Sequence, residues 1–295
     1  MKHPLTVIVP CKNEQRNIRA CIESFYTLAD EILIADSGST DDTLDIVKEF
    51  DKVRIIQRQY VTSGDFKNWA IPQAKHDWVL IVDADERIPL ELCREIELEL
   101  SRGPSADGYW IGRNNHFMGH RLHFGDARTD RVLRLFQRER GRYSGPSDHG
   151  EIKISTGRVA SLKTQMDHFS CWDYDQVFDK IRRYTTLQAQ QWRDEGVDTS
   201  YFKLLVRPMW RFFREYILQG SILDGKAGIQ TAWIAAFYSF QKQARLWDIN
   251  HGKHQSDPDA VYYSRLEQGA VPPIIKGKVN NKSLDTSSAA TEKAA

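Results

Sequence analysis

Trp78-Val79-Leu80-Ile81-Val82-Asp83-Ala84-Asp85-Glu86 decides how this chain folds. Val79 to Val82 are consecutively apolar and bounded by polar groups, the pattern of a short strand buried on both faces, as in a parallel sheet. Three carboxylates follow at once, where the strand leaves the core. In open α/β sheets ligands bind outside the carboxyl ends of the strands. Asp83 and Asp85 are two apart, so they share a side if strand geometry persists. Hard oxygen ligands of this kind suit Mg²⁺ or Mn²⁺ held together with substrate phosphates. The alternative is that these acids merely cap a strand and open the next helix.

The strands around this stretch alternate with helices. Leu5-Thr6-Val7-Ile8-Val9-Pro10 reads as a first strand, and Ile18, Cys21, Ile22, Phe25 and Leu28 recur at helical spacing after it. Glu31 to Asp36 reads as a second strand, followed by the small-residue loop Ser37-Gly38-Ser39-Thr40-Asp41-Asp42 and a helix carrying Leu44, Ile46 and Val47. Val53 to Gln57 reads as a third strand, and Gly64 to Ala74 as a loop and short helix. Such alternation with short links predicts a mostly parallel sheet with right-handed crossovers. Beyond a helix at Leu90 to Leu100 the pattern changes. Tyr109 to Arg113, Arg131 to Arg138 and Glu151 to Ser155 read as strands, the last two half-exposed by their alternation. A helix is expected at Tyr174 to Trp192.

Composition narrows the rest. A chain of 295 residues fits one large domain or one domain with an appendage, and its net charge of +1 gives no field for nucleic acid. Cys11, Cys21, Cys93 and Cys171 are scattered without a CxxC pair, so neither a zinc site nor a disulfide framework is indicated, and a reducing, cytoplasmic setting is expected. The first strand begins too early to leave room for a signal peptide. No apolar run reaches the roughly 18 residues of a spanning helix. Thr286 to Ala295 lacks apolar periodicity, and a disordered tail is expected over 253–295.

Four motifs occur in order: Val9-Pro10-Cys11-Lys12-Asn13-Glu14, Ala35-Asp36-Ser37-Gly38-Ser39-Thr40-Asp41, Lys67-Asn68-Trp69-Ala70, and Asp83-Ala84-Asp85. The series resembles the family 2 glycosyltransferases of the GT-A fold. Arg134-Leu135-Phe136, His149-Gly150-Glu151, Trp210-Arg211-Phe212-Phe213 and Leu223-Asp224-Gly225 resemble one branch, the lipopolysaccharide core β-glucosyltransferases. The likeness spans roughly residues 4–250. Two departures stand out. Asp36-Ser37 occupies a place where the family often has two acids, and Gly150 separates His149 from Glu151 where relatives often join His to Glu. The resemblance implies an α/β GT-A catalytic domain over 1–170, with a nucleotide-sugar half at 1–100 and an acceptor half at 101–170. A helical region over 171–252 would follow it. The implied reaction is inverting transfer of glucose or another hexose from a nucleotide-diphosphate sugar, with a UDP-sugar leading, to a glycan or glycolipid acceptor such as lipopolysaccharide core.

That chemistry gives each motif a role. A divalent ion, Mn²⁺ or Mg²⁺, stabilises charge on the departing diphosphate. Asp85 is the first choice of ligand, with Asp83 facing the ribose or completing the shell. By resemblance Pro10, Asn13 and Glu14 line the nucleotide pocket. Asp36 can accept hydrogen bonds from uracil or ribose, and Lys67 can approach the nucleotide or its phosphates. Capping and turn chemistry is the competing role for Asn13 and Asp36, and a solvated helix charge for Lys67. Inversion needs a base for the acceptor hydroxyl. Glu151 leads, against a role as a strand-edge acid, with Asp148 and Asp130 as fallbacks. His168 is either a further metal or pyrophosphate contact or a structural histidine. Arg131 and Arg134 are either phosphate or acceptor holders or solvated strand charges.

Two other classes compete. A nucleotidyltransferase making nucleotide sugars wants a Gly-rich phosphate loop, and Pro10 to Asn17 contains no glycine. A non-catalytic nucleotide-sugar scaffold would lack the acids at Asp83, Asp85 or Glu151. In the C-terminal region Arg207, Arg211 and Arg214 share one helix face, while Trp210, Phe213 and Ile217 occupy another. Trp233, Phe237, Phe240, Ala244 and Trp247 form a second stripe. A basic face beside an aromatic one fits a helix lying in a membrane interface, here the cytoplasmic face of the inner membrane. Packing on the catalytic domain or a dimer contact is the alternative.

Overall fold

The computed structural model describes residues 3–144 and 151–252. The first hundred residues run β1 (Leu5–Cys11), α1 (Ile18–Phe25), β2 (Glu31–Asp36), α2 (Thr43–Val47), β3 (Val53–Gln57), α3 (Ser63–Ala70), β4 (Trp78–Ile81), β5 (Glu86–Arg87) and α4 (Leu90–Arg102). A mixed-sheet part follows as β6 (Gly108–Phe117), β7 (His120–Arg121), β8 (Arg131–Gln137), β9 (Gly141–Tyr143), β10 (Ile152–Ile154), β11 (Val159–Ser161) and β12 (Met166–Cys171). Then come the helices α5 (Tyr174–Asp194), α6 (Arg207–Phe213) and α7 (Gly225–His251).

β1 is apolar along most of its length because it lies inside the sheet, parallel to β2 on one side and β4 on the other. Val7 and Val9 face α1 and α4, while Ile8 joins Phe66 and Ala70 of α3 on the opposite face. Two-sided burial removes the alternation that half-exposed strands show. The full order is β3-β2-β1-β4-β8-β6-β12-β5. Direction switches at β4, whose partner β8 runs antiparallel with Leu80 opposite Leu135. That register brings Arg134 level with the end of β4. β6 is antiparallel to β8 and parallel to β12, which pairs in turn with β5. The sheet therefore curls so that β12 returns beside the residues just past β4.

Several expected elements are longer or differently placed. β6 continues past Arg113 to Phe117, and β12 was not anticipated, because Asp167, His168 and Ser170 interrupt any apolar alternation. Asp148 and the tail expected from residue 253 lie outside the described residues. Among the described residues no helix is long and apolar enough to cross a membrane.

The C-terminal helices depart most from expectation. π-helical stretches at Phe202–Val206 and Arg214–Leu218 flank α6. Pro208 lacks the N–H that an α-helical turn would use, which accounts for the first widened stretch. In α7 the packed stripe is the small one, Gly228, Ala232 and Ala236, whereas Trp233, Phe237 and Trp247 are exposed. A Cβ at Gly228 would collide with the Ser221 carbonyl, so the close approach requires glycine there.

Candidate active site

The loops after β1, β2 and β4 meet at one edge of the sheet. Asn13 adopts a left-handed φ of 54°, a conformation that Asn tolerates better than most residues. Its Oδ1 accepts from Thr40 N at 2.8 Å, and its own N–H donates to Ser39 Oγ at 2.9 Å. Glu14 N donates to Thr43 Oγ1 at 2.7 Å. The first two sequence motifs are thus knitted into a single rim. Burial raises the Glu14 carboxyl above its ordinary value, with Asp85 adding to the effect.

Asp36 is fully buried beneath that rim. Its carboxylate accepts from Gly38 N at 3.0 Å, Ser39 Oγ at 2.6 Å and Gln57 Nε2 at 2.9 Å. Burial opposes its ionisation, but these donors hold it below the usual carboxylate range. The group shapes the loop that the nucleotide would meet.

β4 ends at Ile81, and Asp83 to Asp85 lie in a turn rather than in strand. The two acids consequently have different partners. Asp83 is clamped between Lys67 Nζ at 2.9 Å and Arg134. Burial alone would raise its pKa, but the two cations hold it well below the usual range. Lys67 and Arg134 are both buried, so neither is a solvated charge. Arg134 also donates to Glu86 Oε1 at 3.1 Å, and Glu86 Oε2 accepts from Asp83 N at 2.9 Å. Glu86 is fully buried and organises the turn. The sequence sets it in the carboxylate cluster but gives it no separate role, since its partner is on a strand 48 residues away. In the third motif Asn68 clasps the backbone of Tyr143 through both amide atoms, at 3.0 and 2.8 Å, and so fixes β9.

Asp85 faces the other way. Its Oδ2 lies 3.7 Å from His168 Nε2 and 3.7 Å from Lys180 Nζ. Burial opposes its ionisation, and His168 and Lys180 outweigh that and lower its pKa. The Asn115 amide fixes the histidine. Its Nδ2 donates to Asp130 Oδ2 at 2.7 Å, which turns its Oδ1 toward His168 Nδ1 at 2.6 Å. Nδ1 then carries a proton, and Nε2 faces the Asp85 carboxylate, which Lys180 also approaches. With the ring neutral, Asp85 and His168 would offer a ligand pair of the kind that suits Mn²⁺. Among the described residues no group of three or more His, Cys, Asp or Glu side chains forms a complete metal cage. Two protein ligands are enough where diphosphate oxygens fill the remaining positions.

A cavity of about 450 Å³ opens beside Asp83 and is lined by Lys67, Arg134, Asp130, Arg131 and Glu151. Asp130 is held by Arg113 at 2.9 Å as well as by Asn115. Glu151 is exposed, and its carboxylate has no ion-pair partner among the described residues. Arg131 lies over the Trp110 ring, 5.1 Å from its centre.

A parallel sheet whose central strand delivers acids to a cavity shared with a mixed-sheet half is the scaffold of the GT-A glycosyltransferases. Sequence comparison narrows that class: the model for glycosyl transferase family 2 matches residues 6–165, and the chain belongs to that family. It is 30% identical over 263 residues to the lipopolysaccharide core biosynthesis glycosyltransferase LpsC of Rhizobium meliloti (strain 1021), spanning 88% of this chain and 97% of that one. An uncharacterized glycosyltransferase of Rickettsia prowazekii (strain Madrid E) is 26% identical over 264 residues, covering 85% of this chain and 88% of its own. Among solved structures, Mycobacterium tuberculosis glucosyl-3-phosphoglycerate synthase in complex with Mn²⁺, UDP and glucosyl-3-phosphoglycerate matches with a TM-score of 0.44 at 16% identity, covering 67% of this chain and 82% of that one.

The C-terminal helical region fastens onto the loop between β7 and β8. Asp224 accepts from His123 N and Phe124 N, both at 3.0 Å, and Glu215 accepts from Asp126 N at 3.0 Å. Arg211 pairs with Asp126, and Arg214 lies 3.7 Å from the same carboxylate. These arginines, expected on an outward basic face, turn toward the loop between β7 and β8. The exposed face of this region is apolar, with Trp210 55% and Phe213 44% exposed.

Proposed function

We propose that this glycosyltransferase moves a hexose from a UDP-sugar to a lipid-linked cell-envelope glycan, with inversion and with a divalent metal. The carrying observation is the Asp85–His168 pair, a carboxylate and an imidazole nitrogen 3.7 Å apart beside the Asp83 clamp. Asp85 and His168 would hold the ion, which when bound stabilises negative charge on the leaving diphosphate. Lys67 and Arg134 fix Asp83 in one orientation, so that it can meet ribose or the ion without rearranging. Pro10, Asn13 and Glu14 form the rim against which the nucleotide lies, and Asp36 holds the neighbouring loop in shape for the base.

Glu151 takes the proton from the acceptor hydroxyl at its carboxylate oxygen. It lines the same cavity as Asp83 and is free of ion pairs among the described residues, whereas Asp130 is tied to Arg113 and Asn115. One unpaired carboxylate suits a single displacement and therefore inversion. The exposed apolar face of α6 and its flanking turns supports attachment to a lipid surface, since aromatic groups of this kind settle at the headgroup level. A cytoplasmic location at the inner membrane follows from that reading.

The test is a donor screen. Purified protein with Mn²⁺ and a panel of nucleotide sugars, followed by nucleotide release, is expected to single out a UDP-hexose. Release from no donor in the presence of core oligosaccharide would overturn the reading.

A further inference from the structure

A second cavity, larger than the one beside Asp83, reaches from Asn115 and Lys180, which flank the Asp85–His168 pair, toward the C-terminal helices. It measures about 860 Å³ and sits between α5, α6, α7 and the loop between β7 and β8. Its walls are largely apolar, with Phe124, Ile181, Ile234 and Tyr238 among them. At one end Arg207, Arg211 and Lys242 converge. Arg211 is neutralised by Asp126. Arg207 and Lys242 have no carboxylate within ion-pair distance among the described residues, and the Lys242 ammonium rests over the Tyr238 ring at 4.7 Å. Burial lowers the Lys242 pKa, and the charges of Arg207 and Arg211 lower it further. The acids that line the cavity, Asp126, Asp130 and Glu215, are engaged by Arg211, Arg214 and Arg113, which leaves the charges of Arg207 and Lys242 without a counter-ion among the described residues in a partly desolvated place. Such an arrangement is costly unless an anion completes it.

Two further features fit that role. Arg207 stands where the π-helical stretch gives way to α6, a distortion that sets the direction of its side chain and recurs at functional sites. Asp130 and Tyr184 line both this cavity and the smaller one that contains Asp83 and Glu151, so the two spaces adjoin.

We propose that the larger cavity is the acceptor subsite and that Arg207 and Lys242 recognise a phosphate or carboxylate carried by the acceptor glycan. This rests on the glycosyltransferase reading above. The apolar walls take the faces of sugar rings, the two cations take the anionic group, and the hydroxyl to be glycosylated extends past Tyr184 toward Glu151. A neutral acceptor would leave the cations unpaired.

The experiment compares the full-length wild type with R207Q, K242Q and the double variant. The acceptors are a deacylated, phosphate-bearing core oligosaccharide and the same oligosaccharide after dephosphorylation. The wild type is expected to prefer the phosphorylated form about tenfold or more in kcat/KM, the range of one charge-assisted contact. The variants are expected to lose that preference through KM rather than kcat, with calorimetric UDP affinity unchanged. Variants that keep the wild-type KM for the phosphorylated acceptor would overturn the proposal. Anionic phospholipid vesicles without glycan form a second arm. Inhibition of the wild type but not of the double variant would assign the charge to a lipid headgroup and overturn the glycan assignment. If the wild type transfers to neither oligosaccharide, the acceptor class under Proposed function fails. The cavity is then judged by saturation-transfer NMR with hexose 1-phosphate against free hexose, the donor pocket being filled with UDP and Mn²⁺. Equal signals from the two ligands would overturn the anion site as well.

Discussion

The donor edge and the C-terminal helices treat charge in opposite ways. At the donor edge nearly every ionic group is answered from within the chain: Asp83 by Lys67 and Arg134, Glu86 by Arg134, and Asp36 by Ser39 and Gln57. Around α6 and α7 large apolar side chains face outward, and Arg207 and Lys242 meet no acid among the described residues. A region that satisfies its own polar groups is built before its ligand arrives. A region that leaves them unanswered is completed by what it binds.

The sharpest way to break this contrast is at Glu151, an acid with no ion-pair partner among the described residues. Glu151→Gln keeps the shape but removes the base, and kcat is expected to fall by about 10² to 10⁴ with UDP affinity intact. A normal kcat in steady-state transfer would move the role elsewhere, and NMR showing a retained anomeric configuration would remove the single-displacement mechanism. Asp85→Asn is next. Loss of an ion that contributes several kcal/mol to the transition state lowers the rate by about 10³. EDTA is expected to bring the wild type to the same level, and a variant indifferent to EDTA but fully active would exclude a metal at Asp85.

Asp83→Asn tests whether the donor edge is prebuilt. Breaking a buried pair is expected to cost about 2–4 kcal/mol in urea unfolding at neutral pH. The sign follows from the lowered pKa. The stabilisation is complete above the ordinary carboxylate value near 4 and fades only as pH falls toward the depressed folded value. Wild type and variant should therefore differ fully at pH 7 and progressively less below pH 4. A difference that grows on acidification would contradict the clamp. Asp36→Ala is expected to weaken UDP binding by about 1–3 kcal/mol through the loosened loop, as calorimetry would show. The smallest effect concerns lipid. Replacing Trp210 and Phe213 with serine should reduce vesicle flotation several-fold. Because Arg211 and Arg214 are held by Asp126, salt should matter less than apolar area. Flotation abolished by moderate salt in the wild type would restore an outward basic face.

The parallel part of the sheet was legible because its inner strands β1, β2 and β4 are buried on both faces. Leu5 to Val9 is apolar except for Thr6, Val79 to Val82 is wholly apolar, and Val53 to Gln57 forms the partly exposed edge strand. Asp83 and Asp85 were recognisable because they stand where β4 ends, and Lys67 because its motif resembles that of the family. Glu86, Arg113 and Asn115 were not. Their meaning lies in pairings across the sheet, and on their own they read as ordinary polar residues. β12 escaped notice because it is a site-lining strand whose residues are polar for contact rather than apolar for burial. In α7 the aromatic stripe, read as a face for a membrane interface, is exposed at Trp233, Phe237 and Trp247, and the packing contact is made by small residues that carry no hydrophobic signal.

The fastening of the loop between β7 and β8 has a consequence for anyone building hybrids of such enzymes. Asp224 and Glu215 hold the backbone of His123, Phe124 and Asp126, and a side chain at Gly125 would strike Glu215. The loop and the helical region are about 90–100 residues apart in sequence yet form one mechanical part. A chimaera that takes its first hundred residues from one parent leaves this part whole. A crossover between the loop and α6 joins a socket to a foreign plug, and it should yield misfolded acceptor halves even where the donor half still binds its nucleotide.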